Sequence, residues 1–288
     1  MRARRPVTLA AASVMAVVGA GVVGVRTLVT RQAAIARRRI GKPLGEQALD
    51  ADRVWRRKKH PGTPVELLLL GDSIAAGLGA DHRRDTLGAR LAKGIAREAG
   101  RPVRLRTAAV VGSETSALAA QLASLPADYR PDAAVIVVGG NDVTHRVAAS
   151  RSAEQLEQIV RALRAADVPV VVGTCPDLGT LRAIPQPLRA LAARSSRQLA
   201  AAQASAVHRA GGRVVALSRA VGPVFAEQPD EMFSVDRFHP SALGYRRTAE
   251  ALLPAVLAAL ETVDGRARPE SRLTRSRPTD PAHLRDER

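Results

Sequence analysis

Four short segments, spread over about 170 residues, carry the residue types of nucleophilic catalysis: Gly71-Asp72-Ser73, Gly112, Gly139-Gly140-Asn141-Asp142 and Asp236-Arg237-Phe238-His239. A serine hydroxyl is a poor nucleophile at neutral pH. It needs a base to take its proton and a third group to hold that base in the useful tautomer. Ser73, His239 and Asp236 supply those three types, with the carboxylate three positions before the imidazole it would orient. Attack on a carbonyl also creates an oxyanion, and each donor fixed in a dry cleft lowers the barrier by roughly 3 kcal/mol. The Ser73 amide, the Gly112 amide and the Asn141 side chain are the candidate donors. Glycine suits such a loop because, lacking Cβ, it lets the backbone approach a substrate.

Each segment alone has an ordinary reading. Gly-Asp-Ser is a common turn tripeptide, Asp-x-x-His opens helices or forms half a metal site, and Asp142 can cap a helix. Order and placement favour chemistry, since each segment follows an expected strand or precedes an expected helix, where the carboxyl ends of a parallel sheet gather ligands. Two other motif readings fail on spacing. Ala75 stands where a Gly-x-Ser-x-Gly elbow needs glycine, and Leu-Gly-Asp-Ser-Ile-Ala-Ala-Gly matches neither a dinucleotide nor a phosphate loop. No nucleotide cofactor is expected.

Taken together, the segments resemble the SGNH hydrolase superfamily, the GDSL-type esterases and lipases, over about Val65 to Val263. The resemblance implies Ser73 as nucleophile, Asp236 and His239 as its relay, and Ser73, Gly112 and Asn141 as the oxyanion hole. Ile74 stands where leucine is common, a near-isosteric change. The implied reaction is hydrolysis of an acyl ester or lipid through a covalent acyl-enzyme, with no metal and no organic cofactor. An acyltransferase to a sugar or lipid hydroxyl would use the same triad, and a membrane-tethered interaction protein would keep the fold without the chemistry. His82 and His145, in loops beside the Ser73 and Asn141 segments, are candidate substrate contacts. So are Cys175, after the fourth strand, and Arg237, whose charge would suit an anionic substrate.

The elements that must position these residues alternate along the chain. Strands are expected at Val65 to Leu70, Val103 to Ala109, Ala133 to Val138, Val168 to Val172 and Arg213 to Ala216. Helices are expected at Leu87 to Ala99, Thr115 to Ala123, Ala153 to Ala166, Leu188 to Ala210 and Ala242 to Thr262. Such alternation implies an α/β fold, a parallel sheet between two helical layers. Right-handed crossovers make a flavodoxin-like, five-stranded order 2-1-3-4-5 the expectation.

Composition sets the remaining bounds. The chain has 288 residues, 46% of them hydrophobic, enough for one large α/β domain with extensions. A single cysteine, Cys175, excludes an internal disulfide and a Cys-rich metal site. The formal net charge of +17 is unevenly placed: residues 1–60 hold 14 Lys/Arg against 3 Asp/Glu, residues 61–265 only 23 against 20. A nearly balanced domain with 2% aromatics argues against a nucleic-acid partner and places the basic excess beside a membrane. Val7 to Val25 runs 19 residues without a charge, close to the roughly 20 that span a bilayer. The expected organisation is a hydrophobic anchor or signal segment at 1–29, a basic juxtamembrane linker at 30–60, the catalytic domain at 61–265 and a disordered polar tail at 266–288. Cleavage near Val18-Gly19-Ala20 would instead give a secreted enzyme. The charge asymmetry and the signal-like start point to opposite sides of the membrane, and both topologies stay open.

Overall fold

The computed structural model describes the backbone of residues 5–266 and the side chains of residues 23–261. In chain order the elements are α1 (Arg5–Ile40), β1 (Val54–Trp55), β2 (Val65–Gly71), α2 (Ser73–Ala76), α3 (Leu87–Ala99) and β3 (Val103–Thr107). Then come α4 (Leu118–Ala123), β4 (Ala133–Val137), α5 (Gly140–Thr144), α6 (Ala149–Ala165), β5 (Val170–Gly173) and α7 (Leu188–Arg209). The last are β6 (Arg213–Val215), α8 (Leu217–Ala220), α9 (Gly222–Glu227), α10 (Pro229–Met232) and α11 (Ala242–Arg266).

The strands form one sheet, ordered β1-β3-β2-β4-β5-β6, in which β2 to β6 are parallel and β1 is antiparallel to β3. Among the five parallel strands the order is the expected 2-1-3-4-5. The sheet has six strands rather than five because Val54–Trp55, within the basic linker, pairs with Val103 and Arg104. Two residues are too few to show a strand's alternation, and Arg56-Arg57-Lys58-Lys59 directly after them hides the signal. Ala51, just before β1, is buried in the core of the sheet's first face.

Strand periodicity explains the layers. Successive side chains point to opposite faces, so the run Leu67 to Leu70 feeds two cores. Leu67 and Leu69 join Ala133, Val135 and Val137 beneath α3 and α11. Leu68 and Leu70 join Ala134, Ile136 and Val172 beneath α6 and the end of α7. Each fully buried leucine contributes roughly 1.5–3 kcal/mol, and four consecutive ones make β2 a rigid base for the turn at its carboxyl end.

The expected tail at 266–288 lies outside the described residues apart from the helix end at Arg266, as do the side chains of residues 7–22 in the expected span Val7 to Val25. Among the described residues, no helix is long and apolar enough to cross a membrane.

Candidate active site

The turn after β2 is built on close backbone approach. Gly71 has φ +136°, and a Cβ there would sit 1.9 Å from the Val137 carbonyl oxygen, so only glycine lets β2 end this tightly against β4. Asp72 follows and caps α2, its Oδ1 accepting the Ile74 N–H at 2.9 Å, while its own N–H donates to Val137 at 3.0 Å. Ser73 is thereby fixed as the first residue of α2. From the far side, the buried Tyr245 hydroxyl donates to the Leu78 carbonyl at 2.6 Å, and the Leu78 N–H donates to the Ser73 carbonyl at 2.9 Å.

The loop before α11 brings the base to this turn. His239 Nε2 lies 2.9 Å from Ser73 Oγ, and its Nδ1 lies 2.5 Å from Asp236 Oδ2. The other carboxylate oxygen, Oδ1, accepts the Phe238 and His239 backbone N–H groups at 2.9 and 3.0 Å. Burial pushes the Asp236 carboxyl up, but hydrogen bonds from the His239 ring and from these two amides outweigh it and hold the group below the usual carboxylate range. An ionised Asp236 accepts only, so Nδ1 carries a proton, and whenever the ring is uncharged Nε2 is left as acceptor for the Ser73 hydroxyl. Arg237 sits between them in the left-handed region, φ +56°, a strained backbone that the bonds around it impose.

Asn141 enters from β4 through Gly139, whose φ is +133°. It lines the same cavity as Ser73 and His239. One hydrogen of its side-chain amide goes to the Ser113 carbonyl at 2.9 Å, and a primary amide has a second to offer. The next residue, Asp142, is fully buried and accepts the Thr115 N–H on both oxygens, at 3.1 and 3.3 Å. Two consecutive residues thus stitch α5 to the loop that holds Gly112. Gly112 itself lies at φ +82° in the exposed turn closed by Ser113 N–H on Val110, beside but not lining the cavity.

The other sequence candidates sit elsewhere. His82 is exposed ahead of the short turn Arg83–Asp85 and does not line the cavity. His145 is exposed and pairs with Glu114 at 2.7 Å, outside the cavity. Arg237 is exposed on a separate groove with Arg182 and Asp230. Cys175 is fully buried behind the cavity wall, its N–H donated to Gln203 at 2.8 Å, and burial pushes its thiol well above the ordinary range. Among the described residues, no group of three His, Cys, Asp or Glu side chains is placed to hold a metal ion.

Sequence reasoning missed the cavity's apolar wall. Leu217 of α8, Val221 between α8 and α9, and Phe225 of α9 line it together with Leu178, Leu181, Phe233 and Phe238. Two prolines, Pro223 and Pro229, break residues 217–232 into one-turn helices, so no long apolar periodicity marks them. The i,i+4 pair Val221 and Phe225 was the available signal.

Similarity to known proteins points the same way. Residues 69–247 match the GDSL-like Lipase/Acylhydrolase family. The chain is 40% identical over 268 residues to the GDSL-like esterase Rv1075c of Mycobacterium tuberculosis (strain ATCC 25618 / H37Rv), covering 90% of this chain and 85% of that protein. By fold it is similar to the lipase/acylhydrolase from Enterococcus faecalis, with TM-score 0.54 and 22% identity over 72% of this chain and 98% of that one. TesA gives TM-score 0.56 and 24% identity over 67% and 99%. The chain belongs to the GDSL-like lipase/acylhydrolase family of the SGNH hydrolase superfamily and is a carboxylic ester hydrolase.

Proposed function

We propose that this hydrolase works through Ser73, His239 and Asp236 and a covalent acyl-enzyme. The observation that supports it is the unbroken hydrogen-bond chain from Asp236 through His239 to Ser73, opening on an apolar cavity. His239 Nε2 takes the Ser73 proton as Oγ bonds to the acyl carbon, and Asp236 stabilises the imidazolium that forms. The Ser73 and Gly112 amides and the Asn141 side chain take the oxyanion. His239 then protonates the leaving alcohol, and water, deprotonated by the same ring, attacks the acyl carbon and releases the acid and Ser73. Leu217, Val221 and Phe225 suit an acyl chain, which needs exclusion of water and no polar partner. The uncharged run Val7 to Val25 supports work at a membrane, with a lipid or envelope ester as substrate.

The test is hydrolysis of p-nitrophenyl acetate, butyrate and octanoate, with Ser73→Ala alongside and mass spectrometry after a fluorophosphonate probe. The expected result is probe on Ser73 and a kcat loss of more than about a thousandfold in Ser73→Ala. Folded protein that turns over esters equally well without the Ser73 hydroxyl overturns the mechanism.

A further inference from the structure

Helix α1 runs without a break from Arg5 to Ile40. Its first turns contain most of the uncharged stretch Val7 to Val25, and its last turns are docked on the hydrolase. Gln32 is buried there, its Nε2 donating to the Gln186 carbonyl at 2.5 Å and its Oε1 accepting the Leu188 N–H at 2.9 Å. One turn on, Ala36 is buried against Leu178, Leu181 and Ile184, in a cluster that Phe233 and Phe238 join. Leu178, Leu181, Phe233 and Phe238 also line the Ser73 cavity, and Phe238 lies edge-on to His239 at 4.9 Å. The helix therefore grips the outside of the wall whose inside is the active site.

A tether needs no such grip, because a flexible linker would hold the enzyme near a membrane equally well. What the grip adds is a fixed height. At about 1.5 Å per residue, Gln32 and Ala36 lie roughly 10 and 16 Å beyond Val25 along the axis. The headgroup layer outside the hydrocarbon core is about 5–8 Å thick. With α1 upright and Val7 to Val25 embedded, the cavity wall that Ala36 touches would stand roughly 10 Å outside the headgroups. Arg26 and Arg31, roughly 1.5 and 9 Å beyond Val25, are exposed at the headgroup level, each able to add about 1 kcal/mol of attraction to anionic lipid, and the exposed Arg37, Arg38 and Arg39 lie farther out.

We infer that α1 is a strut that presents the Ser73 cavity to the bilayer surface, so that the substrate is an ester with its acyl chain held in that surface. The inference rests on the esterase reading above and on Val7 to Val25 being membrane-embedded.

The test uses the full chain in phosphatidylglycerol-phosphatidylcholine vesicles with two esters: 4-methylumbelliferyl oleate carried in the bilayer and p-nitrophenyl acetate in the water. One variant inserts eleven helix-forming residues between Leu28 and Val29. Three added turns keep the helix face and lift the rim by about 16 Å. A second variant inserts eleven Gly/Ser residues at the same point. The expected result is p-nitrophenyl acetate turnover within twofold of the parent for both, with oleate hydrolysis down at least tenfold in the helical insertion and at least threefold in the flexible one. Unchanged oleate hydrolysis in both overturns the strut. Equal loss on both esters also overturns it, because α1 would then act on the site and not on delivery. Parent protein that does not float with the vesicles removes the membrane premise and the inference with it. Parent protein that floats but leaves p-nitrophenyl acetate and the fluorophosphonate probe untouched defeats the esterase reading, and the strut with it.

Discussion

The Gln121 side chain brackets the backbone of Gly71, its Oε1 accepting the Gly71 N–H at 2.9 Å and its Nε2 donating to the Gly71 carbonyl at 2.8 Å. A buried amide here supplements the neighbouring chain, because the β2–β3 register stops at Leu69 and Thr107 and beyond it the Val110 N–H reaches only the Gly71 carbonyl, at 3.2 Å. Gln203 does the same on the other side of the site, accepting from Cys175 at 2.8 Å and donating to Val138 at 3.0 Å. Gln121→Leu removes both bonds, and a third to Ser113 Oγ at 3.3 Å, while keeping volume; the Gly71 carbonyl keeps the Val110 N–H at 3.2 Å, but the buried Gly71 N–H, two residues before Ser73, loses its partner. Such a loss costs roughly 2–3 kcal/mol. Thermal denaturation is expected to show Tm lower by about 4–10 °C, with kcat reduced in parallel. A Tm within 1 °C of the parent would show that the bracket is not needed.

Asn141 and Asp142 divide two tasks between adjacent residues. On its proposed role as an oxyanion donor, Asn141→Ala is expected to lower kcat about a hundredfold or more with little change in KM. Asp142→Ala frees the Thr115 loop instead, and its cost in kcat is expected to be smaller and accompanied by lost stability. Asp142→Asn keeps one acceptor oxygen and should recover part of both. Steady-state kinetics and melting curves on the three variants check the division. A kcat unaffected in Asn141→Ala would remove it from the oxyanion hole.

How much of this was legible in the sequence depends on chain distance. The parallel order followed from the strand-helix alternation, and Ser73, Asn141, Asp236 and His239 from motifs whose chemistry is recognisable locally. β1 was not legible, because two residues carry no period and its pairing is decided by β3, some 50 residues away. Nor was the docking of Gln32, which depends on a loop at Gln186 and Leu188. Buried glutamines such as Gln121 and Gln203 look like ordinary polar helix residues until their strand-end partners are known. His82, His145 and Arg237 were attractive by proximity in sequence, yet their side chains face other surroundings.

Two glycines at positive φ are expected to respond differently to alanine. At Gly71 a Cβ would overlap the Val137 carbonyl, which is backbone and cannot yield, so Gly71→Ala should give no soluble, active protein. At Gly112 a Cβ would meet nothing within 4 Å, and only the left-handed conformation is penalised, by roughly 1–2 kcal/mol. Gly112→Ala should therefore fold, and since alanine keeps the backbone N–H, it should retain activity within about tenfold. Expression yield and kcat of the two variants decide this.

Cys175 tests the tightness of the cavity wall. Its side chain is fully buried and its thiol is held protonated by burial, with the charges of Asp72, Asp142 and Asp177 adding to the effect. Native protein at pH 8 is expected to react with a chromogenic disulfide reagent only over hours, and at once in denaturant. Rapid labelling of the native enzyme would mean that the wall between Gly139 and α7 opens.

Asp72 sets a pH dependence opposite to that of the triad carboxylate. Its carboxyl is fully buried, and desolvation raises it to about 6 against the pull of the Ile74, Gly139 and Gly140 amides and the His239 charge. A carboxyl whose folded value lies above its unfolded value of about 3.9 stabilises the fold below that unfolded value, and the contribution is lost as pH rises through about 6. Asp236, held below the ordinary range, contributes above the unfolded value and loses that contribution as pH falls through its folded one. Asp72→Asn removes the first effect and leaves the second. Melting curves from pH 4 to 8 are therefore expected to show the variant gaining on the parent as pH rises, by roughly 2–3 kcal/mol across the range. The gain should be concentrated between pH 4 and 6.5. Asparagine keeps one acceptor for Ile74 but cannot accept from Gly139 and Gly140 with its amide nitrogen, so the difference starts negative at pH 4 and climbs. A difference that is flat across this range would mean that the backbone amides already hold Asp72 ionised, and that its role is confined to the turn.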